Sequence, residues 1–164
     1  MPQLPMIPSW EGIHPLITHF PVALCFLAPL FLLLAVFTQA DKRSAFIASA
    51  LIVMVLGIGS MYIAYEAGKA AATVVEENGE IEAIVEHHQK LAGYARSCLT
   101  LATILFGLGL LICRVSHLHP SELTAFVPLG FVTFYGLGLF WLLNAAYNGE
   151  RLVHEFGVRG VVAP

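Results

Sequence analysis

Apolar residues are concentrated in four long runs, at about residues 15–39, 44–66, 91–113 and 121–147. Each run approaches or exceeds the roughly 20 residues that an apolar helix needs to cross a bilayer. Lipid offers no partner to backbone groups, so only helices and closed barrels span it, and these runs lack the alternation of barrel strands. The pattern predicts one all-α domain over residues 1–164, an antiparallel four-helix transmembrane bundle with both termini on the same side.

Two of the predicted helices extend beyond their apolar runs. The second continues past Glu66 as a polar, helix-compatible stretch to Val75, and the third begins amphipathic before it becomes fully apolar at Leu99. In the first, Pro21 cannot donate a backbone hydrogen bond to Ile17, which permits a local kink. Glycines paired two residues apart in three of the runs permit close approach of the helices.

Composition supports this class and excludes others. Of the residues, 58% are hydrophobic and 12% charged, and the mean hydropathy is +0.79. The net charge of −3 and the lack of a basic run exclude nucleic acid as a partner. There is no Ser/His/Asp set, phosphate-binding loop or nucleotide fingerprint, so an independent enzyme is not expected. The three cysteines form no CxxC motif and read as small core residues.

Histidines gather at one end of the predicted bundle. An antiparallel order puts the start of the first and third helices and the end of the second and fourth on one face. Five of the seven histidines belong to that face: His14, His19, His87, His88 and His154. Because ionisable groups near hydrocarbon are costly unless paired or liganded, the cluster indicates a functional site. The alternative is that each histidine caps or anchors a helix end at the interface.

Helical register ranks the candidates. His88 follows the apolar stripe of its helix and should face the bundle interior, whereas His87 is rotated by about 100°. His19 lies about one turn inside the first helix, where the kink at Pro21 would aim it inward. His14 precedes Pro15, so capping and ligation are equally open to it.

Three further residues are expected to support these ligands: Glu66, Arg151 and His87. Glu66 would receive a ring N–H, or else pair with Lys69 or Lys90.

Paired histidines on facing helices of a four-helix bundle commonly hold haem b. The leading hypothesis is a membrane haem b protein that carries electrons, alone or as a subunit of a larger redox complex, with quinone binding left open. Its candidate cofactor ligands are His19 and His88, then His14 and His154. Should the third helix project far beyond the bilayer, either His14 replaces His19 as the partner of His88, or a second haem or metal lies between His14, His87 and His154. No CxxCH motif is present, so covalent c-type attachment is not expected.

The alternative hypothesis is a non-redox structural or assembly subunit of a membrane complex. Its polar end would bind a partner protein, or a zinc or copper ion through His19, His88 and His14 with Glu66, or no metal.

Four segments resemble a bacterial membrane family, domain of unknown function 2231. They are HPLITHFPVAL, AYEAGKAA, EHHQKLA, in which His88 is the matching histidine, and GERLVHEFGVRGV. The tail departs from the family pattern, because His154 stands at the family's tyrosine and Phe156 at its histidine. The resemblance implies a four-span membrane protein. Members look like redox-associated modules, some joined to cytochrome-like domains, which implies haem by association.

Basic residues predict the orientation in the membrane. None precedes the first span, and Lys42 and Arg43 follow it closely. The start of that span, and with it the histidine face, is therefore predicted to be extracytoplasmic in a bacterial inner membrane.

Overall fold

The fold is given by a computed structural model that describes residues 9–73, 75, 79–116 and 126–158. Within these ranges the chain forms α-helices and no strand. The helices are α1 (Trp10–Ile17), α2 (His19–Phe37), α3 (Ala40–Ala72), α4 (Gly79–Val115) and α5 (Phe126–His154). Four stretches are long and apolar enough to cross a membrane, with α1 and α2 together making the first. The predicted all-α, four-span architecture is confirmed; the start predicted for the fourth span, at 121–125, lies outside the described residues.

The first span is interrupted at Thr18. Its backbone N–H still donates to the His14 carbonyl at 3.2 Å, and its hydroxyl donates to the Pro15 carbonyl at 3.1 Å. The next turn lacks a donor for the Ile17 carbonyl, because Pro21 has no backbone N–H. The helix therefore stops at Ile17 and restarts at His19, which lets α1 take its own path across the end of the bundle, against α3.

The spans pair as two helical hairpins, α2 with α3 and α4 with α5. In each hairpin, a glycine on one helix lies in close contact with the other helix. A Cβ at Gly57 would lie 2.9 Å from the Cys25 sulfur, and one at Gly138 would lie 2.7 Å from two carbons of the fully buried Leu99. Their neighbours Gly59 and Gly136 face open space. One glycine in each of these two pairs therefore permits a close helix contact, whereas the third pair, Gly107 and Gly109, makes none.

A buried hydrogen bond joins the two hairpins. The Tyr135 hydroxyl on α5 donates to the Cys25 carbonyl on α2 at 2.9 Å. That carbonyl would normally accept from the residue four positions on, but Pro29 stands there and has no N–H. Tyr135 supplies the missing donor. The Cys25 carbonyl, which Pro29 leaves without its helical hydrogen bond, is therefore satisfied from a distant helix.

Two helices are much longer than a bilayer requires. The 33 residues of α3 and the 37 of α4 correspond to about 50 and 55 Å, against about 30 Å of hydrocarbon. The end of α3 and the start of α4 therefore extend past the hydrocarbon on the same side. Together with α1 and the end of α5, they enclose the site described next.

Candidate functional site

Two histidines from different hairpins meet at this end of the bundle. His14 comes from α1 and His88 from the third turn of α4. Their ring centroids are 6.1 Å apart and their ring planes are nearly perpendicular, at 87°. Both side chains are half-buried.

Each imidazole is fixed by a hydrogen bond to a helix backbone. The Nδ1 of His14 donates to the Ala64 carbonyl on α3 at 2.8 Å, and the Nδ1 of His88 donates to the Ala145 carbonyl on α5 at 2.7 Å. A carbonyl oxygen can only accept, so the proton of each ring must be on Nδ1. In the neutral ring Nε2 then carries a lone pair. This is the arrangement by which proteins orient histidine ligands of metals.

Glycines make room for both rings. A Cβ on Gly68 would lie 2.7 Å from Cε1 and 2.9 Å from Nδ1 of His14. A Cβ on Gly149 would lie 3.2 Å from Cε1 and 3.4 Å from Nδ1 of His88. The first approach is closer than side-chain carbons tolerate, and the second is tight. Glycine is therefore needed at 68 and favoured at 149, although it weakens a helix interior.

The two half-sites follow one pattern. A histidine near the start of a hairpin reaches an alanine carbonyl 50 or 57 residues later, and a glycine follows that alanine four positions on. Four residues are about one helical turn, which puts the glycine directly beside the carbonyl that holds the ring. This repeat was not predicted from the sequence. The glycine pairs within the spans were identified there, but the spacing of Ala64 to Gly68 and of Ala145 to Gly149 was not.

The rings border a cavity of about 500 Å³ between α1, α3, α4 and α5. Its described lining is mostly apolar, with Tyr65, Thr18 and Gln89 as polar residues beside the histidines, and without Asp, Glu, Lys or Arg. Pockets for small ligands and cofactors commonly have 300–1,000 Å³ and this kind of lining. The cavity suits a largely apolar group that is anchored at one point by nitrogen.

The chain after α5 folds back to close part of this cavity. Gly157 has a φ of 67°, and the Val158 N–H donates to the Leu152 carbonyl at 2.9 Å. Phe156, Gly157 and Val158 line the cavity as a result. The turn is further tied by an ion pair of 2.8 Å between Arg151 and Glu155, and this neighbouring guanidinium lowers the pKa of the Glu155 carboxyl.

The other predicted ligands lie elsewhere. His19 is exposed and does not line the cavity. It is the first residue of α2, beyond the break at Thr18, and so does not follow the path of α1 that brings His14 to the cavity. His87 and His154 are exposed as well. Phe156 lines the cavity, whereas His154, two residues earlier, does not.

The residues expected to support the ligands are paired with other groups. Glu66 accepts from Lys69 at 3.1 Å, and the ring N–H groups go to backbone carbonyls, so the expected role for Glu66 is not seen. Arg151 contacts Glu155 instead of a histidine.

The donor set decides which metals fit. Among the described residues no group of three His, Cys, Asp or Glu side chains comes together. Structural zinc usually takes four such ligands and catalytic zinc three. Two imidazoles alone suit a metal whose remaining positions are filled by another group, as the porphyrin fills four positions of haem iron.

The chain is similar to a known family of membrane proteins. The family model described as "Predicted membrane protein (DUF2231)" matches residues 11–161. Neither the curated proteins nor the solved structures contain a significant match.

Proposed function

This chain belongs to the family of predicted membrane proteins called domain of unknown function 2231, and we propose that it binds one haem b between His14 and His88 and carries electrons. The observation that carries the proposal is the pair of imidazoles, 6.1 Å apart between centroids and drawn from separate hairpins. Each has Nδ1 committed to a carbonyl and Nε2 left to bind a metal.

The distance between the rings is compatible with two histidines that would hold one metal ion between them. When each ring places a nitrogen about 2 Å from a shared metal, the ring centroids are about 6 Å apart. The apolar cavity beside the rings, about 500 Å³, offers room of the right order for a porphyrin. Haem would supply reversible one-electron chemistry, and the protein would supply two fixed nitrogens and an apolar surrounding.

The backbone hydrogen bonds to the two rings would also affect the redox properties of a bound haem. A ring whose Nδ1–H donates to a carbonyl is more basic at Nε2 and is held in one orientation. Both histidines have this bond, so each ring is held in one orientation whether or not a metal is bound. That property favours electron transfer over ligand exchange or substrate binding at the metal.

A partner is part of this proposal. The cavity is at one end of the bundle, and the tail turn of Phe156 to Val158 covers part of it. We propose that electrons pass to a redox partner at this end, in a larger complex or by transient contact. From the distribution of basic residues, this end is proposed to be extracytoplasmic in a bacterial inner membrane.

The competing proposal is a bare metal ion, copper or zinc, without a redox role. Copper is favoured over zinc within this alternative, because the described cavity lining lacks the carboxylate that a His/His/Glu zinc site requires.

Metal analysis of the purified protein, with a visible absorption spectrum, separates these proposals. The protein should be isolated from membranes of cells supplied with haem precursor, iron, copper and zinc. One iron per chain together with a low-spin haem b spectrum supports the haem proposal. Copper or zinc with a featureless haem region would overturn it in favour of a metal subunit, and a metal-free, colourless protein would overturn both.

A further inference from the structure

A second polar cluster lies between α3 and α4 and shares one residue, Tyr65, with the lining of the histidine cavity. Its centre is Arg96, whose guanidinium carbon is 3.9 Å from the ring centroid of Tyr65 and 4.9 Å from that of Tyr62. Glu66 and Lys69 complete what we call the arginine cluster. The mechanism proposed above uses none of these side chains as a ligand.

The hydrogen-bonding capacity of Arg96 is unused within the described chain. Its one ion pair there, to Glu66, is long at 3.9 Å, and that carboxylate already accepts from Lys69 at 3.1 Å. A guanidinium has five N–H donors. The two tyrosine rings hold it by cation–π contact, which positions the group without occupying those donors.

The location of Arg96 makes this unusual. It stands three residues before Leu99, where the fully apolar part of α4 begins, and its side chain is only 23% exposed. A cation near hydrocarbon is costly unless an anion or a water-filled cavity accompanies it. Tyr62 and its neighbour Ile63 on α3 are 44% and 46% exposed, so the cluster reaches the outer surface of the bundle.

The charges leave the cluster positive. Arg96 and Lys69 contribute two positive charges and Glu66 one negative charge, so one positive charge is uncompensated. Tyr62 and Tyr65 also carry hydroxyl groups, which are neutral hydrogen-bond donors. Donors of this kind, arranged around a single cation at a membrane interface, are complementary to a phosphate group with several acceptor oxygens.

We propose that the arginine cluster binds the phosphate of an anionic phospholipid headgroup, with its acyl chains along the outer surface of α3 and α4. Arg96 makes the principal contact, Lys69 adds charge, and the tyrosines hold the guanidinium in place. Tyr65 also lines the histidine cavity, so the lipid site and the cavity share a wall. The site does not depend on what the histidines bind.

The test is retention of phosphatidylglycerol by the full-length protein. Wild type, Arg96→Gln, Arg96→Lys and the control Arg114→Gln are reconstituted in phosphatidylcholine vesicles that contain a minor fraction of phosphatidylglycerol. The proteins are extracted in mild detergent, and their retained lipids are counted by native mass spectrometry. Arg114 is a matched control, because it is an exposed arginine on the same helix at its other end.

Wild type should retain phosphatidylglycerol over phosphatidylcholine. Arg96→Gln should reduce that retention about tenfold, as the loss of a charge-assisted hydrogen-bonded contact predicts. Arg96→Lys should keep part of the phosphatidylglycerol retention, because lysine preserves the charge without the planar fork of arginine. This variant also controls for misfolding of Arg96→Gln. Equal losses in Arg96→Gln and Arg114→Gln, or no loss in either, would overturn the proposal. Binding of inorganic phosphate to the wild type in detergent, without lipid retention, would overturn the assignment to a lipid.

Discussion

The ring of His14 lies directly against the backbone of Gly68, where a Cβ would come within 2.7 Å of Cε1. This contact joins the short helix α1 to the end of α3 and fixes the position of one proposed ligand. His88 and Gly149 repeat it in the other hairpin at 3.2 Å. The glycines are therefore as much part of the site as the histidines, and their substitution gives the first prediction.

Gly68→Ala should destabilise the protein by about 1–3 kcal/mol, because the new methyl group overpacks against a ring that is held by its own hydrogen bond. Gly149→Ala should cost less, since a shift of a few tenths of an ångström relieves the contact. Gly59→Ala, on the same helix as Gly68 but with no atom within 4 Å, is the control and should be neutral or stabilising by up to about 1 kcal/mol. Denaturation midpoints in detergent measure the order, and equal effects at 68 and 59 would contradict it.

Packing between α4 and α5 gives a second prediction. Gly138→Ala places a methyl group 2.7 Å from carbons of Leu99, which is fully buried and cannot move aside. A loss of about 1–3 kcal/mol is expected. Gly136→Ala, two residues away on the same helix and facing open space, should show no such loss. If both variants unfold at the same denaturant concentration as wild type, the close helix contact is not as described.

Tyr135→Phe tests the bond that joins the hairpins. Removal of the hydroxyl leaves the Cys25 carbonyl without a donor, because Pro29 cannot provide one. The expected cost is about 1–3 kcal/mol, that of a buried unsatisfied acceptor. Tyr147→Phe is the control, since Tyr147 is 61% exposed. Indistinguishable melting of the two variants would show that the carbonyl is satisfied in another way.

The proposed orientation is tested by labelling. A cysteine at Ser9 should react with an impermeant thiol reagent added outside intact cells, because the start of the first span is expected outside. The buried native cysteines, Cys25, Cys98 and Cys113, provide a low background. A cysteine at Lys42, after the first span, should be protected until the cells are opened. The reverse pattern would place the histidine end in the cytoplasm.

The sequence predicted the spans well, since lipid forces apolar runs into helices and Pro21 marks the interruption of the first. Register also separated His88 from His87, because adjacent helical residues point about 100° apart. The sequence could not decide between His14 and His19 as the partner of His88. That choice depends on the path of α1, which the break at Thr18 separates from α2, and on a carbonyl 50 residues away.

Gly68 shows a second limit of sequence reasoning. Within a helix a glycine reads as a small residue or a weak point, and its meaning appears only when a ring from another helix is seen against it. Glu66 had two expected roles, and the structure shows the pairing with Lys69, since a lysine one turn away in the same helix is within reach of the carboxylate.

The central claim is haem b ligation by His14 and His88, and single alanine variants of the two histidines, with His19→Ala as control, test it most directly. The measurement is the reduced-minus-oxidised visible spectrum of each purified protein. Wild type and His19→Ala should both give a low-spin haem b signal. In His14→Ala and His88→Ala the signal should be lost or converted to high spin, because one axial nitrogen is missing. An unchanged low-spin signal in either of these two variants, or its loss in His19→Ala alone, would contradict the account.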